Sequence, residues 1–277
     1  MRASRRRDAF FLESDCGAKL YCIFSGQDRG GKGAMLFLHP FAEEMNRSRR
    51  MVALAAGRFA DAGWSVLQVD LLGCGDSEGD FGDASWARWV DNVGTAMAWL
   101  RRETGLPCVV WGLRSGCLLA SEWMVRESEI DCPALLWQPI VSGRQHLTHF
   151  LRLKALSDST EPEPGTVVRA ARARLDLGGD VEVAGYALGA GLAKGLEAAT
   201  LDFPEKYASR VGVLEVSGTQ KTVLSPVLAN RAASWQGRGI EVDGRVVDGP
   251  AFWLTQETTV APELIDASLL MLEKLVQ

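Results

Sequence analysis

Val109 to Ala120 reads VVWGLRSGCLLA. An apolar run meets a glycine, turns within a few residues, and resumes as an apolar, small-residue segment. That pattern describes a strand, a tight turn and a helix. Turns of this kind present a nucleophilic serine in the frame G-x-S-x-G. Here the frame is Gly112-Leu113-Arg114-Ser115-Gly116, and arginine stands in the serine's place. A guanidinium stays protonated at working pH and cannot attack a carbonyl. Ser115 is the remaining candidate nucleophile. A frame centred on it would be flanked by Leu113 and Cys117, too large for an elbow built on small neighbours. Ser115 reads more simply as the start of the helix.

The elements that must hold this turn are legible around it. Continuous apolar runs mark strands buried on both faces: AMLFLH (Ala34 to His39), WSVLQVD, PCVVWG and CPALLWQP. Helical periodicity follows each of the first three, in RRMVALAAGRFADAG, ASWARWVDNVGTAMAWLRRETG and SGCLLASEWMVRES. AFFLES and KLYCIF precede them as short strands. After Pro139 the alternation breaks. Two helical pieces flank the acidic, proline-bearing loop DSTEPEPG, and a short strand VEVAGYAL and another helical piece follow. Alternation resumes with VGVLEVSG, a helix, GIEVDGRVVDG and a closing helix. Strands alternating with helices imply an α/β fold with a mostly parallel sheet. The expected organisation is a core of residues 1–141 and 207–277 carrying a helical cap insertion over 142–206.

Several motifs then fall in a recognisable order. His39-Pro40-Phe41 follows an early strand. The next strand leads into Asp70-Leu71-Leu72-Gly73-Cys74-Gly75-Asp76-Ser77-Glu78-Gly79, a D-x-x-G-x-G-x-S loop. The elbow follows the strand after that. This order resembles the α/β hydrolases over nearly the whole chain. HPFAEEMNRSRR together with WGLR resembles the hydrolases associated with bacterial exosortase A systems, in particular the second of two such types. The resemblance implies a setting of extracellular polysaccharide production and protein sorting, and leaves the substrate open.

A serine hydrolase of this fold carries its acid and its histidine in loops after late strands. From Val216 to Ile240 the chain has no Asp or Glu, and the alternative acid position holds Gln138. The loop DGPAFWLTQ holds no histidine. Of the three histidines, 39, 146 and 149, none lies beyond residue 149. His39 is expected to pack and hydrogen-bond within its own loop, with general-base work as the lesser reading. His146 and His149 are expected at the surface or in a capping role, against metal binding or a base swung over the elbow.

The expected crevice lies at the carboxyl ends of the strands. It is lined by His39, Phe41, Glu43, Glu44, Asn46, Arg49, Asp76, Arg114, Ser115, Trp137 and Trp253, with Arg47, Arg50, Ser77 and Glu78 close by. Two readings of Arg114 stand. It clamps an anion at a helix start, or it is held internally by Glu43, Glu44 or Asp76. Trp137 and Trp253 either shape an apolar pocket for an acyl or sugar group or fill the space of an absent triad.

Composition bounds the remaining options. The chain has 277 residues, is 47% hydrophobic and carries a net charge of −5. An acidic surface argues against nucleic-acid binding. The basic start, MRASRRR, reads as solvated charge. Six cysteines without a C-x-x-C pair read as reduced thiols, so neither metal nor cofactor is expected. No apolar stretch reaches membrane-spanning length, and a cytoplasmic location is expected. The expected function is a degenerate or accessory ligand-binding protein linked to exosortase or exopolysaccharide biosynthesis. Its partners would be a small anionic or acyl-bearing molecule and a protein of that system. The rivals are an ester or thioester hydrolase or acyltransferase with an unorthodox site, and a structural partner protein.

Overall fold

The apolar runs read as buried strands become neighbours in one sheet. In the computed structural model, which describes residues 5–27, 30–127, 132–157, 164–219 and 221–276, the chain opens with a hairpin of β1 (Arg5–Glu13) and β2 (Lys19–Gln27). Then come β3 (Gly33–Leu38), α1 (Glu43–Asp61), β4 (Trp64–Val69), α2 (Trp86–Thr104), β5 (Cys108–Leu113), α3 (Gly116–Arg126) and β6 (Ala134–Trp137). An excursion follows through α4 (Gly143–Ser157), α5 (Pro164–Asp176), β7 (Val181–Val183), β8 (Tyr186–Leu188) and α6 (Ala190–Ala198). The chain returns through β9 (Arg210–Ser217), α7 (Pro226–Gly237), β10 (Glu241–Asp248) and α8 (Pro262–Leu275). The sheet has eight strands in the order β1-β2-β4-β3-β5-β6-β9-β10. All pairings from β4 to β10 are parallel, and only the two at the β1 and β2 end are antiparallel.

Helices cover both faces, which is why every residue of β3, β5 and β6 is buried. On one face α2, α3 and the excursion enclose the larger core. On the other, α1 and α8 pack over Met35, Trp111, Trp137 and Leu214. The excursion is anchored by close approach. A Cβ at Gly195 of α6 would lie 2.1 Å from the Cβ of Trp86 on α2, so the two helices meet without an intervening side chain.

Three local expectations change. The basic start is partly a strand: β1 begins at Arg5, and Arg6 pairs with Asp8 and Glu103. Residues 1–4 lie outside the described residues, as does the acidic loop over 158–163. The first helix begins at Glu43 rather than near Arg49, so the charged residues after His39 belong to its opening turns. Glu43 and Glu44 suit that position because carboxylates oppose the positive end of the helix dipole. VEVAGYAL is a two-stranded hairpin rather than one strand, turned by Ala184 and Gly185 at φ 50° and 85°.

Candidate functional site

The turn between β5 and α3 is an elbow with Arg114 at its apex. Arg114 has φ 55°, a left-handed conformation that an ordinary residue occupies only under constraint. Its N–H donates to the Trp137 carbonyl at 3.0 Å, and its own carbonyl accepts from Cys117 N–H at 3.1 Å. The glycines on either side are sterically required. A Cβ at Gly116 would lie 2.2 Å from the Leu38 carbonyl oxygen, and one at Gly112 would lie 2.9 Å from Cys117 N. Ser115 has helical dihedrals, φ −67° and ψ −19°, and is buried where α3 begins. The strained apex therefore belongs to Arg114 and not to Ser115.

The Arg114 side chain is held within the protein. Its Nη2 lies 2.9 Å from Glu44 Oε1, and its Nε lies 3.3 and 3.2 Å from the two carboxylate oxygens. The guanidinium carbon sits 5.3 Å from the Trp253 ring centroid, within cation–π range. Both members of the pair are largely buried, with side chains 18% and 15% exposed. Trp253 itself is buried in the loop between β10 and α8.

Neighbouring side chains on α1 tie down the surrounding loops. Tyr186 of β8 donates its hydroxyl to Glu43 Oε2 at 3.0 Å and accepts from Asn46 Nδ2 at 2.9 Å. Arg47 donates to the Leu254 carbonyl at 2.6 Å. Arg49 reaches Asp70 Oδ2 at 3.0 Å, and the Asp76 N–H bonds that same oxygen at 3.1 Å. Asp76 is exposed, and its carboxylate is not among the partners of Arg114. Ser77 and Glu78 accept from the Tyr21 and Lys19 N–H groups at 2.8 and 2.9 Å, stitching their loop to β2.

His39 is buried and bridges two loops. Nδ1 lies 2.8 Å from the Pro40 carbonyl and Nε2 lies 3.2 Å from Leu71 N. Together these assign a neutral ring with its proton on Nδ1. Burial is the main cause of its lowered pKa. Gln138, at the alternative acid position, has φ 44° and accepts the Val216 N–H on Oε1 at 2.7 Å. Its carboxamide completes the backbone of the neighbouring strand.

Two expectations are corrected. Trp137 does not line the crevice. It is fully buried between the sheet and α8, 4.7 Å from the Trp111 ring, and donates from Nε1 to Ser268 Oγ at 2.9 Å. Alternation along β6 turns it to that face. His146 is not at the surface. It is 8% exposed, lies 5.8 Å from the Phe41 ring, and its Nε2 has no hydrogen-bond partner among the described residues. Burial pushes its pKa down to about 4; Glu44 opposes that shift and Arg114 adds to it. His149 is exposed, and no group of three or more metal-ligating side chains occurs among the described residues. Phe41, Phe81, Trp89 and Phe150 pack around the same corner, with Phe41 4.8 Å from Phe150 and Phe81 5.2 Å from Tyr186.

Sequence reasoning held His146 over the elbow only as a lesser reading and missed Tyr186 as a neighbour of it. A signal for the first was present: His146, Leu147, Phe150 and Leu151 form one helix stripe and all are buried. For Tyr186 there was none, because only the hairpin turn brings it to α1.

Two outcomes follow from this geometry. Gly116→Ala drives a methyl into the Leu38 carbonyl and should destabilise the fold by about 3 kcal/mol, read by denaturant unfolding. His146 stays neutral when folded but titrates near 6.5 when unfolded. The unfolded chain therefore binds the extra proton between those values, so stability is full above about pH 6.5 and falls toward pH 4. The loss from this residue should be roughly 2–3 kcal/mol, and His146→Phe should flatten that part of the pH profile.

Comparison with known proteins agrees with this architecture. Residues 30–163 match the family model described as serine aminopeptidase, S33. No curated protein sequence matches the chain. Among solved structures, Est1E from Butyrivibrio proteoclasticus with bound ferulic acid superposes with a TM-score of 0.69 at 16% identity, covering 97% of this chain and 100% of that one. A thermostable carboxyl esterase from Bacillus coagulans gives 0.64 at 13% identity, covering 99% and 100%. The α/β hydrolase GrgF from Penicillium sp. sh18 gives 0.62 at 14% identity, covering 98% and 99%. The chain is thus a protein of the α/β-hydrolase fold, and its residues 30–163 match the serine aminopeptidase S33 family.

Proposed function

We propose that this protein has the hydrolase fold without its acyl-enzyme chemistry, and acts as a ligand-binding or accessory component. One observation carries this reading: the apex of the elbow is a guanidinium committed to Glu44. Three further positions support it. Gln138 holds backbone at one acid position. The chain from Val216 to Ile240 contains no carboxylate for the other. Trp253 fills the late loop expected to bring a histidine, and its ring faces Arg114. The resemblance of HPFAEEMNRSRR and WGLR supports a place in exosortase- or exopolysaccharide-linked biosynthesis. The ligand suited to this corner is a small acyl-bearing or anionic molecule bound beneath the 142–206 excursion, which serves as its cap.

A second reading has one observation in its favour. His146 is neutral, buried and unpartnered at Nε2 beside the elbow, as a base in an unorthodox hydrolase or acyltransferase would be.

A fluorophosphonate probe and a panel of acyl esters and thioesters separate the two. The first reading predicts no labelling and no turnover, and predicts that Arg114→Ser stays inactive because the loop after β9 supplies no acid and the loop after β10 no histidine. Labelled Ser115, or turnover lost in both Ser115→Ala and His146→Ala, would establish the second.

A further inference from the structure

The sheet ends on β10, whose outer edge has no strand beside it among the described residues. An open edge is a row of backbone donors and acceptors, and soluble proteins cover, blunt or pair it. The sequence of this edge, Glu241-Val242-Asp243-Gly244-Arg245-Val246-Val247-Asp248, has an internal pattern. A twofold axis through Gly244 and perpendicular to the sheet would set two copies of the strand antiparallel. Gly244 then meets itself, Asp243 meets Arg245 of the other copy, Arg245 meets its Asp243, and Val242 meets Val246. Opposed residues share a face, so both charge pairs and both valine pairs fall side by side, while at the strand ends Glu241 meets Val247.

We infer that β10 is the interface of a symmetric homodimer, joining two eight-stranded sheets into one. Charge complementarity is the first support. Within one chain Arg245 Nη2 lies 2.7 Å from Asp243 Oδ2, and Lys274 Nζ lies 3.2 Å from the same oxygen. Asp243 and Arg245 already pair within one chain, so across the axis each would meet the opposite charge of a second such pair.

The second support is the rim. Val223 is 74% exposed beside this edge, apolar surface that a second copy would cover. A groove of about 620 Å³ lies there, lined by Val223, Leu224, Val242, Gly244 and Met271. Gly244 makes room for Leu224 of its own chain, whose Cδ1 would lie 2.7 Å from a Cβ there.

The opposite edge lacks such a pattern. Antiparallel pairing of β1 about Ala9 would set Arg6 against Leu12 and Arg7 against Phe11. This inference is independent of the elbow's chemistry.

Light scattering on the full chain tests it, from micromolar to sub-millimolar concentration. The wild type should have the mass of a dimer. Asp243→Arg gathers cations at the axis and Arg245→Asp gathers carboxylates, so each alone should dissociate at least about tenfold more readily. Mixed together, the two variants should form a heterodimer, because each then supplies the charge the other lacks. A monomeric wild type, a dimer indifferent to both substitutions, or a mixture that stays monomeric would each overturn the inference. Hydrogen exchange on the wild type needs no variant. Where dilution dissociates the dimer, amides of β10 should lose protection; β10 protection that stays unchanged as the mass falls to that of a monomer would overturn it as well.

Discussion

The contact between Arg114 and Glu44 is the constraint around which the rest of this corner is arranged. Arg114 sits on a backbone that only a tight elbow tolerates, and the glycines at 112 and 116 let β3, β5 and α3 close upon it. From that fixed point its side chain reaches back across the sheet to the opening turn of α1. The first two turns of α1 also hold Tyr186, the Leu254 carbonyl and Asp70, so one helix start joins the elbow, the excursion hairpin, the last loop and the loop after β4. Losing one partner of a buried pair leaves the other charge without compensation. That asymmetry makes the pair a clasp between distant parts of the chain.

On the proposed reading, the electrostatics differ from those of an acyl-transfer site, which needs a nucleophile that can lose a proton and a base that can take it. Here the central charge is a permanent cation, cancelled by a carboxylate at hydrogen-bond distance and backed by an indole face. His146 is held neutral by burial. Phe41, Phe81, Trp89 and Phe150 fill the apolar side. The charges of Arg114 and Glu44 cancel, and His146 Nε2 has no hydrogen-bond partner among the described residues. The corner suits a ligand that hydrogen-bonds to His146 better than one drawn in by net charge.

Strands and elbow were legible because their signals are local. A strand buried on both faces must be continuously apolar, and Ala34 to Leu38 is. The frame of Gly112 and Gly116 located the apex, since steric demand there is written in residue size. The start of α1 was hidden because its opening turns are charged on nearly every side, which reads as loop. The partner of Arg114 was narrowed to three carboxylates but not chosen, since Glu44 lies 70 residues away and its reach depends on the helix register. Trp137 and Trp253 looked alike in sequence. Strand alternation sends the first into the α8 core, and a loop delivers the second to the guanidinium. His146 was misplaced because a polar residue in an apolar stripe is easily assigned to solvent.

The central claim is that Arg114 serves its own protein through Glu44, and a double-mutant cycle measures this directly. Unfolding free energies would be compared for the wild type, Arg114→Met, Glu44→Gln and the double variant. If the two side chains act as one clasp, each single substitution is costly and the double costs little more than either, a coupling of about 1.5–3 kcal/mol. Additive losses, with coupling near zero, would contradict the account and leave the guanidinium free for a ligand.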